Sequence, residues 1–270
     1  MINSAEIYFP SSEIERYFLK SIWRLQEYNT NQRTETILPK GIVEIIFNFS
    51  DNITYSNHAM DVNMVLPSCF INGLNFKPFN LIKSRQQSFL GIQLNVIGLK
   101  FLFNIPANEL RDTVVDGSQV CKSLDVLCHQ LFLGKTFEEQ VETIRKWICE
   151  KISGSKYSKS INHVHNLFYS QKLYDIKVNE LCIEKCISDR QLRRISLEWL
   201  GMNTETFLLY KKYLESLQLL HNPNLSLTQI GLKAGYYDQS HFIREFKSFT
   251  TLTPKDYQAS ITDLPGHIFR

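Results

Sequence analysis

The amino-acid sequence predicts an α+β protein, with a strand-rich first part and an all-helical second part. Apolar side chains alternate at every second position in residues 42–49 and 89–94, which is the period of a half-buried strand. From residue 161 onward the apolar positions follow the period of a helix. A small, polar and apparently structureless stretch lies between the two patterns. We therefore predict an N-terminal domain of residues 1–152, a linker of residues 153–160 and a C-terminal domain of residues 161–270.

The composition is that of an ordinary globular protein. The chain has 270 residues, of which 43% are apolar and 21% charged, enough for two domains with separate cores. No apolar run approaches the roughly 18 residues of a membrane-spanning helix, and the first residues lack the features of a signal peptide. We expect a cytoplasmic protein with no membrane partner, in which the six cysteines are buried free thiols.

The N-terminal domain is predicted to place its strands before its helices. Its first segment, residues 8–23, is rich in aromatic side chains that are expected to form core around a turn at Pro10. The predicted elements are, in chain order, strands at 42–49, 64–66, 69–72, 81–83 and 89–94 and helices at 123–132 and 137–151.

Residues 226–249 are predicted to form a helix-turn-helix unit. Ser226 caps a short first helix, and Gly235 ends it because a residue without Cβ adopts the left-handed conformation at least cost. Asp238 caps the second helix, whose Phe242 and Phe246 lie four residues apart on one buried face. Two short helices that meet at a glycine-containing turn are typical of this motif.

The outer face of the second helix suits DNA. It carries side chains that donate hydrogen bonds to base edges or phosphates, namely Gln239, Ser240, His241, Arg244 and Lys247. A solvated surface helix would show the same polar face, so spacing alone gives the two interpretations about equal weight.

A second copy of the pattern lies about fifty residues upstream, in residues 178–200. Ser188 caps its second helix, Gly201 ends it, and Arg190, Arg193 and Arg194 form a positive edge suited to the major groove.

Residues 205–220 are predicted to form a helix that joins the two units. Its length of roughly 20–25 Å would hold the two recognition helices about 34 Å apart, one turn of duplex. Four residues on or beside these elements are candidates for phosphate contacts: Ser188, Lys211, Lys212 and Ser226.

The C-terminal motif resembles the AraC/XylS family of bacterial transcription regulators. The residues that carry the likeness, 230–257, read IGxxAGYxDQSHFxRxFK and then LTPxxY. Three positions depart from the family pattern: Thr251 replaces a glycine, Ser196 a core phenylalanine and Thr204 a proline. Trp199 is a candidate to fill part of the volume that the phenylalanine would occupy.

A looser resemblance covers the N-terminal domain. The segments PxGxxExIF from Pro39, GxQxxxxG from Gly91 and IPxxEL from Ile105 are similar to an uncharacterised sensor domain that precedes AraC-type DNA-binding domains. The likeness implies a small β-barrel of cupin-like character.

Together the resemblances imply a sequence-specific transcription regulator that inserts two recognition helices into successive major grooves of double-stranded DNA. The other partners to consider are a small-molecule effector, RNA polymerase and a second copy of the chain. No catalytic residue, cofactor or metal site is predicted. His163 with His165, and Cys121 with Cys128 and His129, lack the paired spacing of a zinc site.

Two alternatives remain open. The N-terminal barrel could carry a ligand-binding or enzymatic activity, although His58 is the only histidine before residue 129. The helical domain could be an interaction module that no longer binds DNA, because Ser196 weakens the first unit and residues 175–257 are nearly neutral. They contain eleven Lys and Arg against ten Asp and Glu, a difference of +1.

Overall fold

The computed structural model describes residues 4–28, 31–57, 60–169, 176–262 and 264–269. Two antiparallel sheets come first and helices follow, which confirms the predicted α+β class. The strands are β1 Ser4–Tyr8, β2 Leu19–Tyr28, β3 Arg33–Ile37, β4 Val43–Asn48, β5 Thr54–Asn57, β6 Val62–Val65, β7 Cys69–Asn72, β8 Phe79–Lys83, β9 Gln86–Leu94, β10 Val114–Asp116 and β11 His267–Phe269.

The helices of the N-terminal part are short, apart from the last two. They are α1 Glu13–Arg16, α2 Ile97–Phe103, α3 Gly117–Val120, α4 Ser123–Leu133 and α5 Phe137–Gly154, with a 3₁₀ turn at Ala107–Leu110. The C-terminal helices are α6 Ile161–Phe168, α7 Val178–Glu184, α8 Asp189–Leu200, α9 Thr204–Leu219, α10 Leu227–Lys233, α11 Gln239–Thr250 and α12 Pro254–Gln258. None of the described helices is both long and apolar enough to cross a membrane.

The strands form two packed sheets. The six-stranded sheet has the order β1-β2-β9-β4-β7-β10, and the five-stranded sheet the order β11-β3-β8-β5-β6. The two strands with the strongest sequence pattern, β4 and β9, are neighbours, with Ile45 opposite Ile92. The long strand β2 was not predicted, because its apolar and polar side chains do not alternate along the strand.

Two apolar cores result from this arrangement. The first lies between the sheets and includes Phe70, Phe79 and Phe89. The second covers the outer face of the six-stranded sheet, where it includes Leu90. It continues among the C-terminal helices, where it includes Tyr213. The second core crosses from the N-terminal part into the C-terminal helices without a break, so the two parts are packed together.

The predicted linker is folded. Helix α5 continues to Gly154, and residues 155–160 form turns. Ser155 Oγ donates to the Phe101 carbonyl at 2.8 Å, and the Tyr157 ring meets the edge of Trp199 with centroids 5.0 Å apart. The expectation of an unstructured stretch is therefore wrong, because serine and tyrosine side chains bond locally and fix it against α2 and α8.

Helix α9 ties the helical part to loops of the sheets. Tyr210 Oη accepts a hydrogen bond from the Gly41 amide at 3.0 Å and donates to the Asn75 carbonyl at 2.6 Å. One turn further, Tyr213 Oη donates to the Pro39 carbonyl at 3.0 Å. Both tyrosines are buried. The helix predicted to join two DNA-binding units thus also anchors them to the N-terminal part.

The last strand returns to the first part of the chain. After α12, β11 pairs with β3 at the edge of the five-stranded sheet, with His267 opposite Ile37. The Gly266 carbonyl accepts from the Leu38 amide at 2.8 Å, and the Gly266 amide donates to Tyr257 Oη at 3.0 Å. The end of the chain therefore links α12 to the sheet, although the predicted division assigned it to the helical domain.

The cysteines are free but mostly not buried. Only Cys69 is buried; Cys149 and Cys186 are exposed, and the other three are intermediate. The expectation of buried thiols is therefore wrong for all but one position. Cys186 lies in a surface turn and Cys149 on the solvent side of α5.

Candidate DNA-binding interface

The second helix-turn-helix unit is built from α10 and α11. Ser226 Oγ accepts from the Gln229 amide at 3.2 Å, and the Gln229 side chain accepts in return from the Ser226 amide at 2.9 Å. This capping box starts α10. Gly235 has φ +83°, so it turns the chain where a residue with Cβ would be strained. Asp238 then starts α11 by accepting from the His241 amide at 2.7 Å.

The buried and outer faces of α11 separate as the sequence predicts. Phe242 and Phe246 are fully buried, whereas Ser240, Arg244 and Lys247 are exposed. Helix α11 is held close to α10, because a Cβ on Gly231 would lie 3.1 Å from Phe242. The exposed side chains therefore extend from a helix that is packed closely against α10.

Two further side chains on α11 are half-buried and oriented by neighbours. Gln239 Oε1 accepts from the Thr228 hydroxyl at 2.6 Å, which leaves the amide N–H groups of Gln239 to donate elsewhere. The His241 ring stands edge-on to Tyr236 with centroids 5.4 Å apart. Both contacts fix side chains that the sequence assigned to DNA.

The first unit, α7 and α8, has the same construction. Cys186 occupies the turn with φ +52°, in the place that Gly235 takes in the second unit. Ser188 Oγ accepts from the Gln191 amide at 3.3 Å and starts α8, and Gly201 ends it with φ +67°. The predicted DNA-contacting residues of α8 are all exposed: Arg190, Arg193 and Arg194.

Two of the departures from the family pattern compensate for each other. Ser196 and Thr204 are both buried, and their hydroxyls are 2.8 Å apart. The serine that replaces a core phenylalanine is therefore hydrogen-bonded to the threonine that replaces a proline. Trp199, the predicted filler, is buried against Tyr157. The pair joins α8 to the start of α9.

Breaking this pair should destabilise the first unit. Ser196→Ala leaves the Thr204 hydroxyl buried without its partner, and we expect a loss of about 1–2 kcal/mol in the free energy of unfolding. Thr204→Val should cost a similar amount. In the double variant the loss should be about 1 kcal/mol smaller than the sum of the two, as a double-mutant cycle by urea unfolding would measure. If the loss in the double variant equalled the sum of the two single losses, a direct hydrogen bond between Ser196 and Thr204 would be contradicted.

The end of α11 is strained at Thr251, as its departure from glycine suggests. Thr251 has φ +65°, a conformation that is unfavourable for a β-branched residue. Since left-handed backbone costs about 1–2 kcal/mol for a residue with Cβ, we expect Thr251→Gly to stabilise the protein by about 1 kcal/mol. Thr251→Ala keeps the Cβ atom and should therefore gain little of this stabilisation. Equal unfolding midpoints for the glycine variant and the parent protein would rule out the strain.

The four phosphate-contact candidates lie in different surroundings. Ser188 and Ser226 are exposed at the starts of α8 and α10. Lys212 Nζ instead donates to the Gly235 carbonyl, and Lys211 Nζ lies 5.4 Å from the centroid of the Tyr169 ring. Burial, with Lys20 nearby, lowers the pKa of Lys211. These contacts favour structural roles for the two lysines, and their phosphate contacts stay a prediction.

The histidines and cysteines weighed as metal ligands form no cluster that the structure describes. Among the described residues, no group of three or more His, Cys, Asp or Glu side chains is arranged to hold a metal ion. His58 lies outside the described residues.

Sequence reasoning missed a cluster of charged residues at one side of the space between the sheets. His267 Nδ1 lies 2.6 Å from Glu35 Oε1, Lys83 forms an ion pair with the same carboxylate, and Lys40 Nζ lies 3.0 Å from Glu44 Oε2. Burial raises the pKa of Glu35, but the bonds and charges of His267 and Lys83 outweigh it and lower the value to about 2.

The histidine of this cluster lies between Glu35 and Lys40. Burial lowers the pKa of His267, and the charge of Lys40 lowers it further. A neutral ring that donates from Nδ1 to Glu35 leaves Nε2 to accept from Lys40 Nζ, 3.5 Å away. The residues of this cluster come from four separate segments of the chain. Glu44 belongs to the segment that begins at Pro39, but no local pattern connects it with Glu35, Lys83 or His267.

Two regions of the chain match known protein families. Residues 181–260 match a family described as a helix-turn-helix domain, and residues 6–116 match a domain of unknown function, DUF6597. The first match covers the second unit with the motif of residues 230–257, and the first unit from residue 181 onward. The C-terminal helices form an AraC-type helix-turn-helix domain. The resemblance stated from the motif is thereby confirmed.

Two proteins that are similar to part of this chain are named as regulators. The Msm operon regulatory protein of Streptococcus mutans is 25% identical over 109 residues, which are 40% of this chain and 39% of that protein. The HTH-type transcriptional regulator ArgR of Pseudomonas aeruginosa is 28% identical over 81 residues, 30% of this chain and 25% of that protein. The chain thus spans well under two thirds of the length of either relative.

The similar solved structures share less sequence identity with this chain than the two regulators do. ToxT from Vibrio cholerae is 12% identical, with 97% of this chain and 99% of that chain covered and a TM-score of 0.48. A transcriptional regulator from Chromobacterium violaceum, described as having an AraC-type DNA-binding domain, is 22% identical, with 38% of this chain and 95% of that chain covered and a TM-score of 0.35.

Proposed function

We propose that this protein is a sequence-specific transcription regulator of the AraC type, which inserts α8 and α11 into successive major grooves of double-stranded DNA. The observation that carries the proposal is the repeated unit: two capped helices expose donor side chains and are joined by the single helix α9. One helix of 16 residues spans about 24 Å, and with the flanking turns this suits a spacing of about one duplex turn.

In this proposal the bases are contacted by the exposed faces of the two recognition helices. Arg190, Arg193 and Arg194 act from α8, and Gln239, Ser240, His241 and Arg244 act from α11. Lys247, further along α11, contacts the phosphate backbone. The backbone amides at the starts of α8 and α10, beside Ser188 and Ser226, would meet phosphates and set the register of the protein on the duplex. The protein has no catalytic role in this proposal and acts in the cytoplasm.

The N-terminal part, residues 1–152 of the proposed division, controls DNA binding through an effector or a second copy of the chain. Two physical connections support control from this side. Tyr210 and Tyr213 bond α9 to loops of the sheets, and β11 links α12 to the sheet edge. Since both recognition helices pack on α9, a change in the sheets would alter their spacing. RNA polymerase is the proposed recipient of the signal.

Selection from a random duplex library tests the proposal. The full chain is incubated with the library at two salt concentrations, and bound duplexes are sequenced. We expect a bipartite motif whose halves are about one helical turn apart, with binding that weakens as salt rises. A single half-site would mean that only one unit contacts bases. No enrichment at either salt concentration, with and without added cell extract, would support the rival interpretation of a helical module that has lost DNA binding.

A further inference from the structure

A cavity of about 360 Å³ lies between the two sheets. Its walls are mostly apolar and come from both sheets, with Ile46, Phe70 and Phe89 on one side and Ile53 and Leu81 on the other. A volume in this range and a largely apolar lining are typical of small-molecule sites, and apolar cavities of this kind hold organic molecules more readily than water. The cavity therefore has room for one small organic ligand.

The C-terminal end of the chain forms part of the same wall. Leu264, His267 and Phe269 line the cavity, and the Arg33 guanidinium lies 4.7 Å from the centroid of the Phe269 ring. These residues follow the AraC-type domain in the chain, so a ligand in the cavity would touch the segment that connects α12 to the sheet.

The charges in the lining are balanced. Four carboxylates and four Lys or Arg side chains contribute to it, so their formal charges sum to zero. Each cation has a carboxylate partner: Arg24 with Glu6, Arg33 with Glu27, Lys40 with Glu44 and Lys83 with Glu35. A charged ligand would have to break one of these pairs or remain without a counter-ion in an apolar space, and burying an uncompensated charge is strongly unfavourable.

Two buried hydrogen-bond donors in the lining are unused. Trp23 Nε1 and Arg33 Nε have no partner among the described residues. Gly91, a residue of the N-terminal sequence pattern, makes room for the indole, because a Cβ there would lie 2.2 Å from the Trp23 ring. A buried N–H without an acceptor is unfavourable, and a ligand oxygen would remove that cost.

We propose that this cavity binds an uncharged, mostly apolar small molecule that carries at least one acceptor oxygen, such as an ester or a ketone. The proposal rests on the proposed function in one respect, that the ligand is the effector of the regulator. Binding itself requires only the cavity, so it is measured without DNA.

Three probes with ten-carbon chains distinguish the effect of a charge on the ligand from the effect of an acceptor oxygen. Methyl decanoate is uncharged and has acceptor oxygens, decanoate is an anion at pH 8, and decane has neither charge nor acceptor. With the full-length protein, calorimetric titration should give methyl decanoate an affinity at least about tenfold higher than that of decanoate. Tighter binding of decanoate would overturn the uncharged class, and binding of none of the three would overturn the cavity as a ligand site.

The variant Trp23→Phe tests the hydrogen bond from Trp23 Nε1 to an acceptor oxygen of the ligand. Removal of the indole N–H should lower the affinity for methyl decanoate about fivefold and leave the affinity for decane unchanged, because decane has no oxygen that could accept a hydrogen bond. A purely structural effect would weaken the binding of both probes equally and would contradict the assigned hydrogen bond.

Leu81→Trp, which fills the cavity, should abolish binding of all three probes while the far-ultraviolet circular dichroism stays that of the parent protein. Retained binding in that variant would place the ligand elsewhere.

These measurements keep the two proposals apart. If the ester binds and no duplex is enriched, the ligand site stands and the DNA-binding proposal fails. If a duplex is enriched and no probe binds, the reverse holds. When both succeed, the ester should change the affinity for the selected duplex, and the duplex should change the affinity for the ester by the same factor.

Discussion

Arg244→Ala is expected to weaken binding to the selected duplex by about 1–3 kcal/mol, roughly 5- to 150-fold, and to relax base preference at one position. Arg244 is exposed near the middle of α11, on the face opposite the buried Phe242 and Phe246. Its Nε lies 3.8 Å from Glu245 Oε1, a long ion pair in which the arginine is exposed and the carboxylate half-buried, and such a pair is weak enough to exchange for a base edge. Fluorescence anisotropy with the selected duplex and single-base variants measures both effects.

Two matched variants separate charge from base recognition. Arg244→Lys keeps the positive charge but loses the planar fork that bonds guanine, so it should retain the salt dependence and lose the base preference. Lys247→Ala, one turn closer to the end of α11, should weaken all duplexes alike and lower the salt slope by about one. If Arg244→Ala bound every duplex as tightly as the parent protein, Arg244 would not contact DNA.

Tyr210→Phe is expected to lower the free energy of unfolding by about 2–4 kcal/mol. The hydroxyl bonds two backbone groups of different loops, the Gly41 amide and the Asn75 carbonyl, and both would be left without their partner. Burial raises the pKa of Tyr210, so the hydroxyl remains protonated and able to donate. Unfolding in guanidinium chloride, followed by circular dichroism and by tryptophan fluorescence, measures the loss.

Tyr213→Phe is the matched control. It removes the same atom from the same helix but only one hydrogen bond, to the Pro39 carbonyl, and should cost about half as much. Because the two parts share one apolar core, both probes should follow a single transition in the parent protein and in each variant. Two separate transitions in the parent protein, or equal costs for the two variants, would contradict the role assigned to α9.

The sequence alone determined the two helix-turn-helix units. Each is specified within about 25 residues, by a serine or aspartate cap, a turn residue of positive φ and apolar side chains at helical spacing. Such signals act between neighbours in the chain, so Ser226, Gly235 and Asp238 could be assigned without knowledge of the rest. The strands β4 and β9 were predicted from the alternation of apolar side chains along each strand. In the structure most positions on both faces of these strands are buried, so the alternation located the strands but did not show that both faces are covered.

Only the tertiary structure decided what these elements pack against. It placed β11 beside β3, bonded Ser196 to Thr204, and brought Glu35, Lys83 and His267 to one side of the cavity. Periodicity shows that a face is buried but does not identify its partner, and three residues of strand carry too little pattern to be predicted. The partner depends on the shapes of segments that are up to 232 residues apart in the chain.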